Sequence, residues 1–120
     1  MTAPNLLSIS TVVAHTAVAN VSNIATSNVL SNASNSGQAI KVNSLVVTNT
    51  DTANNIAITA ALLRSGISYR VASNITVPYS TTLIAISKDA NIYLEEGDAL
   101  TVTASANNLQ VLVGYETVGP

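Results

Sequence analysis

The sequence predicts an all-β fold, a single antiparallel β-sandwich of jelly-roll or immunoglobulin-like arrangement with an N-terminal arm or extra strand. Three observations carry that expectation. Apolar residues alternate with polar ones at a period of two, the apolar positions are rich in Val and Ile, and turn residues recur at spacings of about 8–12 residues. No connection is long enough for a crossover helix, so the strands pair antiparallel.

The N-terminal segment 1–38 is the least regular. Leu7, Ile9, Val12 and Val13 suggest a first strand. Over 15–30, Val18, Val21, Ala25 and Val29 would line a helical face, whereas Val12, Ala14, Thr16 and Val18 would line a strand face. Val, Thr, Asn and Ser are mediocre helix formers, and no ion pairs at i,i+4 support a helix, so strand and loop are favoured. The run from Asn32 to Gln38 reads as a plain surface loop. Segment 1–38 is thus a strand or arm and a loop within the same domain, and 39–120 is the sandwich core.

The core strands follow in order. Residues 40–48 carry Ile40, Val42, Leu45, Val46 and Val47, and a turn at 51–55 ends the run. Residues 55–63 place Ile56, Ile58, Ala60 and Leu62 on one face. Ser65-Gly66 sits between that strand and 67–72, close enough for the two to pair as a hairpin, with Gly free to adopt positive φ. Pro78-Tyr79-Ser80 precedes a strand at 82–87, Lys88-Asp89-Ala90 breaks it, and a short strand follows at 91–94. The turn Glu95-Glu96-Gly97-Asp98 leads into 99–104, and Asn107-Asn108 leads into 109–118, since Asn tolerates the left-handed region. Ile56, Ile58, Leu62, Ile84, Ile86, Leu100, Val102, Val111 and Val113 are the expected core.

Composition restricts function more than any motif does. The 120 residues carry 8% charged, 48% hydrophobic and 3% aromatic residues, with a net charge of −2. That charged fraction is about a third of the ~25% found in ordinary soluble domains. An acidic balance lacks the basic footprint of a nucleic-acid binder. No apolar run reaches the ~20 residues of a membrane-spanning helix, and the first residues lack a signal peptide's basic start. The absence of cysteine excludes disulfides, a thiolate nucleophile and thiolate zinc sites. A folded chain with so few charges has weak colloidal protection unless neighbours cover its surface. An oligomer or a subunit of a larger assembly is therefore expected.

Candidate chemistry is sparse. Glu95, Glu96 and Asp98 offer carboxylates of the kind Ca²⁺ prefers, but EF-hand spacing is missing, and the simpler reading is a hairpin turn solvated by its acids. The single histidine, His15, has no sequence neighbour suited to acid–base or transition-metal chemistry. There is no Gly-x-Ser-x-Gly elbow and no phosphate loop. No catalytic, cofactor or metal residues are assigned. Tyr69, Tyr79, Tyr93 and Tyr115 suit interface anchoring, a sugar-stacking platform or packing at the core edge. Asn20, Asn32 and Asn74 head Asn-x-Ser/Thr sequons, as expected by chance in a chain rich in these residues. Leu6, Leu7, Ile9, Tyr79 and Tyr93 are the candidate protein-contact residues.

The block from Ile40 to Val118, about two-thirds of the chain, resembles small β-sandwich structural proteins of tailed-bacteriophage virions. The likeness rests on KVNSLVVTNTD, on NITVPYSTTLIAI, and on NIYLEEGDALTVTASANNLQVLVGYETV, with its Ile92-x-Leu94-x-x-Gly97-Asp98 hairpin and terminal Tyr115-Glu116. It implies a non-enzymatic virion component without cofactor, made in the host cytoplasm. Such a component is a head decoration (cement) protein or a neck, tail or fibre-associated subunit. Its implied partners are the major capsid protein or other virion proteins, together with further copies of itself, a trimer being favoured. A carbohydrate- or receptor-binding sandwich module is the alternative.

Overall fold

The structure, a computed structural model, describes residues 11–21 and 26–119. Those residues form nine strands: β1 (Thr11–Val21), β2 (Ser27–Ser31), β3 (Ala39–Asn49), β4 (Ile56–Arg64), β5 (Ile67–Val77), β6 (Thr82–Ile86), β7 (Ile92–Leu94), β8 (Ala99–Ala104) and β9 (Leu109–Gly119). One 3-10 turn, Lys88–Ala90, separates β6 from β7. Two antiparallel sheets face each other across the core. The first runs β1-β9-β3-β6, with β7 also on β3, and the second runs β2-β8-β4-β5.

This order settles the arrangement that the strand count left open. The strands β6 and β7 share one edge of β3, at Leu45–Thr48 and Ile40–Val42, so they act as one strand interrupted by the 3-10 turn. Outer strands then pair with outer and inner with inner: β1 with β9, β2 with β8, β3 with β6/β7, β4 with β5. The chain is one long hairpin rolled up, which is the jelly-roll topology. Its tip is the β4–β5 turn, where Ser65 and Gly66 sit at φ 53° and 78°. Positive φ at both central residues makes this a type I′ turn, whose twist matches its flanking strands. Strands β1 and β2 add one member to each sheet, so the sandwich draws on both sides of residue 39.

Most of the expected core is in place: Ile56, Ile58, Ile86, Leu100, Val102, Val111 and Val113 are buried, joined by Leu45, Leu94 and Leu109. Leu62 is half-buried against them. Ile84 overturns the expectation, being 63% exposed. The register of β3 and β6 shifts between Leu45↔Ile86 and Val46↔Ile84, so β6 spends an extra residue, Ala85, at that point. A bulge of this kind switches the face on which later side chains emerge. Leu83 and Ala85 therefore pack inward, and Ile84 points out.

Two buried asparagines close the ends of the sandwich, and the sequence had offered no sign of either. Asn49 is fully buried; its amide donates to the carbonyls of Asn54 and Val77 (2.9 and 3.0 Å) and its Oδ1 accepts Asp51 N–H at 2.9 Å. At the other end, Asn32 donates to the carbonyls of Gln38 and Leu94 (2.9 and 3.0 Å) and accepts the Ser36 hydroxyl at 2.7 Å. The segment from Asn32 to Gln38 is a surface loop as expected, but its first residue, Asn32, is buried and ties it to the end of the sandwich. A 4% exposed Asn32 is also unsuited to be a sequon acceptor.

Asp51 organises the β3–β4 loop. Its Oδ1 accepts the backbone N–H groups of Ala53 and Asn54 at 2.8 and 3.0 Å, and these donors, Ala53 first, hold its carboxyl below the usual carboxylate range. A depressed folded-state value means the stabilisation is complete above the unfolded value of about 4 and is lost as the pH falls through the lower folded one. Asp51→Ala should accordingly flatten the acid limb of stability below about pH 4. Thermal unfolding at stepped pH checks this, and an unchanged acid limb would refute it.

Candidate functional site

The acidic turn is built as a structural clasp. Gly97 takes φ 86°, its N–H donates to the Asn32 carbonyl at 2.8 Å, and Asp98 turns inward to 2% exposure. Arg64, at the end of β4, meets Asp98 through Nε–Oδ1 at 3.0 Å and Nη2–Oδ2 at 2.6 Å, and reaches Glu95 at 2.7 Å. The same Asp98 Oδ2 accepts the Glu95 N–H at 2.8 Å. Hydrogen bonding to Asp98 raises the Arg64 guanidinium further above its ordinary value. The expectation that these acids merely solvate a turn is corrected for Asp98. Its carboxylate has a bidentate cationic partner and is engaged in holding β4, β7 and β8 together.

The outward face of the first sheet is organised differently. Register places Val18 of β1 beside Leu112 of β9, Leu112 beside Val46 of β3, and Val46 beside Ile84 of β6. These four form one apolar row across the sheet, with Val18 73%, Leu112 42% and Ile84 63% exposed. The adjoining row is Asn20–Gln110–Thr48–Thr82, polar and uncharged, with the Thr48 and Thr82 hydroxyls 3.1 Å apart. On the other side Thr16, Gly114 and Ser44 are neighbours. A recess of about 340 Å³ is lined by Val18, Ala19, Asn20, Gln110, Val111 and Leu112. Charge reappears only towards the far end, where Glu116 stands between Ala14 and Lys41 and accepts the Asn43 amide at 3.2 Å. An exposed apolar row rimmed by neutral polar groups is inexpensive to desolvate, because no ion must lose its hydration.

Of the expected contact residues, Tyr93 lies on β7 beside Lys41, 40% exposed, at that far end of the same sheet. Tyr79 lies in the β5–β6 connection, 52% exposed, its N–H donating to Asn55 Oδ1 at 3.2 Å. The two mark opposite ends of β3, about 27 Å apart at 3.4 Å per residue, and share no surface. Leu6, Leu7 and Ile9 lie outside the described residues. The four residues of the apolar row were not singled out from the sequence as contacts; Ile84 was assigned to the core, and only cross-strand register reveals the row.

The tyrosines do not assemble a stacking platform. Tyr115 is stacked on His15, directly across the β1–β9 ladder, with ring centroids 5.0 Å apart, so one of its faces is taken. Tyr69 is 54% exposed on β5, in the other sheet. That sheet's outer face holds a smaller recess, about 180 Å³, lined by Thr26, Thr59, Ser68, Arg70, Thr101 and Thr103 among others. Its threonine hydroxyls are engaged: Thr26 with Thr103 at 2.8 Å, Thr101 with the Ala61 carbonyl at 3.3 Å, and Thr59 with the Asn74 N–H at 3.0 Å. Among the described residues no group of three His, Cys, Asp or Glu is placed to hold a metal ion.

No protein-family model, curated protein or solved structure matches the chain. The surfaces themselves therefore carry the functional argument.

Proposed function

We propose that this chain is a non-enzymatic structural subunit of a tailed-phage particle, a decoration or cement protein seated on its capsid neighbours through the outer face of the first sheet. The observation that carries the reading is the row Val18–Leu112–Val46–Ile84, flanked by neutral Asn, Gln and Thr, on a chain with only 8% charged residues. Such a face is suited to being covered by protein, since burial removes apolar area from water at small desolvation cost. Jelly-roll sandwiches recur in viral capsid proteins, an analogy of fold that agrees with the sequence likeness of residues 40–118.

The test is co-sedimentation of the purified protein with capsids that lack it. Wild type should bind and raise the temperature at which the particles open. The double variant Leu112→Lys/Ile84→Lys, changed only at exposed positions, should keep its fold and lose at least ten-fold in affinity, as truncation of central interface residues does. Binding to the neck or tail instead would place the subunit elsewhere in the particle. Wild-type protein that leaves every virion component untouched would remove the reading.

A further inference from the structure

We infer that the free edge of β1 is a self-association site, pairing antiparallel about a two-fold axis with β1 of a second copy. The sandwich has four sheet edges, and an edge strand invites another strand unless something obstructs it. Three are obstructed. Strand β2 is five residues long with a register shift at Asn28/Leu30. Strand β5 has two register shifts, the charged Arg70, and Asn74 at φ 50°. The β6/β7 edge is split by a 3-10 turn carrying Lys88 and Asp89.

Strand β1 has none of these devices. It runs 11 residues in unbroken register with β9, from Thr11↔Gly119 to Val21↔Leu109, and contains no Lys, Arg, Asp, Glu, Pro or Gly. Among the described residues nothing pairs with its other side. The backbone donors and acceptors of that side ask for an extended strand, which is the chemistry of β-augmentation. The sequence TVVAHTAVANV supplies its own partner. With Thr16 on the axis, Ala14 falls opposite Val18 and Val13 opposite Ala19, while His15 meets Ala17, Val12 meets Asn20 and Thr11 meets Val21. Two pairs on opposite faces are thus wholly apolar, and no pair brings together Lys, Arg, Asp or Glu. Two first sheets then become one continuous sheet.

Sedimentation equilibrium at tens of micromolar should give wild type twice the 12.3 kDa chain mass. Thr16→Lys places like charges against each other on the axis, and Thr16→Glu does the same with opposite sign. Thr16 is exposed and its β9 neighbour is Gly114, so both variants should keep the wild-type circular dichroism. Each should be monomeric alone, and an equimolar mixture should dimerise again, an outcome that misfolding cannot imitate. A monomeric or trimeric wild type, a dimer indifferent to either substitution, or a mixture that stays monomeric would overturn the inference. Capsid binding is read separately, so failure here and failure of the proposed function are distinguishable.

Discussion

Arg64→Met is expected to destabilise the fold by about 2–3 kcal/mol, more than Asp98→Ala, at about 1–2 kcal/mol. The asymmetry follows from where each remaining group is left. Without Arg64, the Asp98 carboxylate stays at 2% exposure with no cationic partner, the Glu95 N–H still donating to it. Without Asp98, the arginine head, already 38% exposed and beside Glu95, turns to water. That exposure also places the larger figure below the ~3–5 kcal/mol typical of fully buried pairs, because solvent screens the arginine. Arg64→Lys should fall between wild type and Arg64→Met, keeping the charge and losing the bidentate geometry. Denaturant unfolding measures all three; equal effects of Arg64→Met and Asp98→Ala would show that the clasp is not anchored by a buried carboxylate.

Leu100→Ala should cost about 2–5 kcal/mol, whereas Ile84→Ala should stay within about 0.5 kcal/mol. Leu100 is fully buried at the centre of the second sheet, between Leu30 of β2 and Leu62 of β4, where a truncated side chain leaves a cavity. Ile84 loses only exposed area on the outer face. The sequence treats the two alike, as members of alternating apolar runs, so the contrast tests the β3–β6 bulge directly. Comparable losses at both positions would return Ile84 to the core and dissolve the apolar row with it.

Strand positions were legible because their causes are local. Alternation located β4, β8 and β9 to within a residue, and Ser65-Gly66 and Asn107-Asn108 marked turns through the backbone conformations those residues tolerate. Strand β5 was expected over 67–72 and extends to Val77, since its two bulges break the period that would have revealed the rest. The interaction surface was illegible for a related reason. Val18, Val46, Ile84 and Leu112 lie far apart in sequence, and nothing in any one of their segments states which strand lies alongside.

Residue order alone thus settles an all-β chain, its strand and turn positions, most of its core and its poverty of charge, because each depends on side-chain pattern and backbone preference over a few neighbouring residues. Tertiary structure decides the jelly-roll pairing, the inward turn of Asp98, Asn32 and Asn49, and the outward turn of Ile84. Ile84 depends on long-range register, where one extra residue opposite a partner strand moves a side chain from one face to the other. The three buried polar groups depend on partners such as Arg64, Leu94 and Val77 that the fold brings to them from other strands.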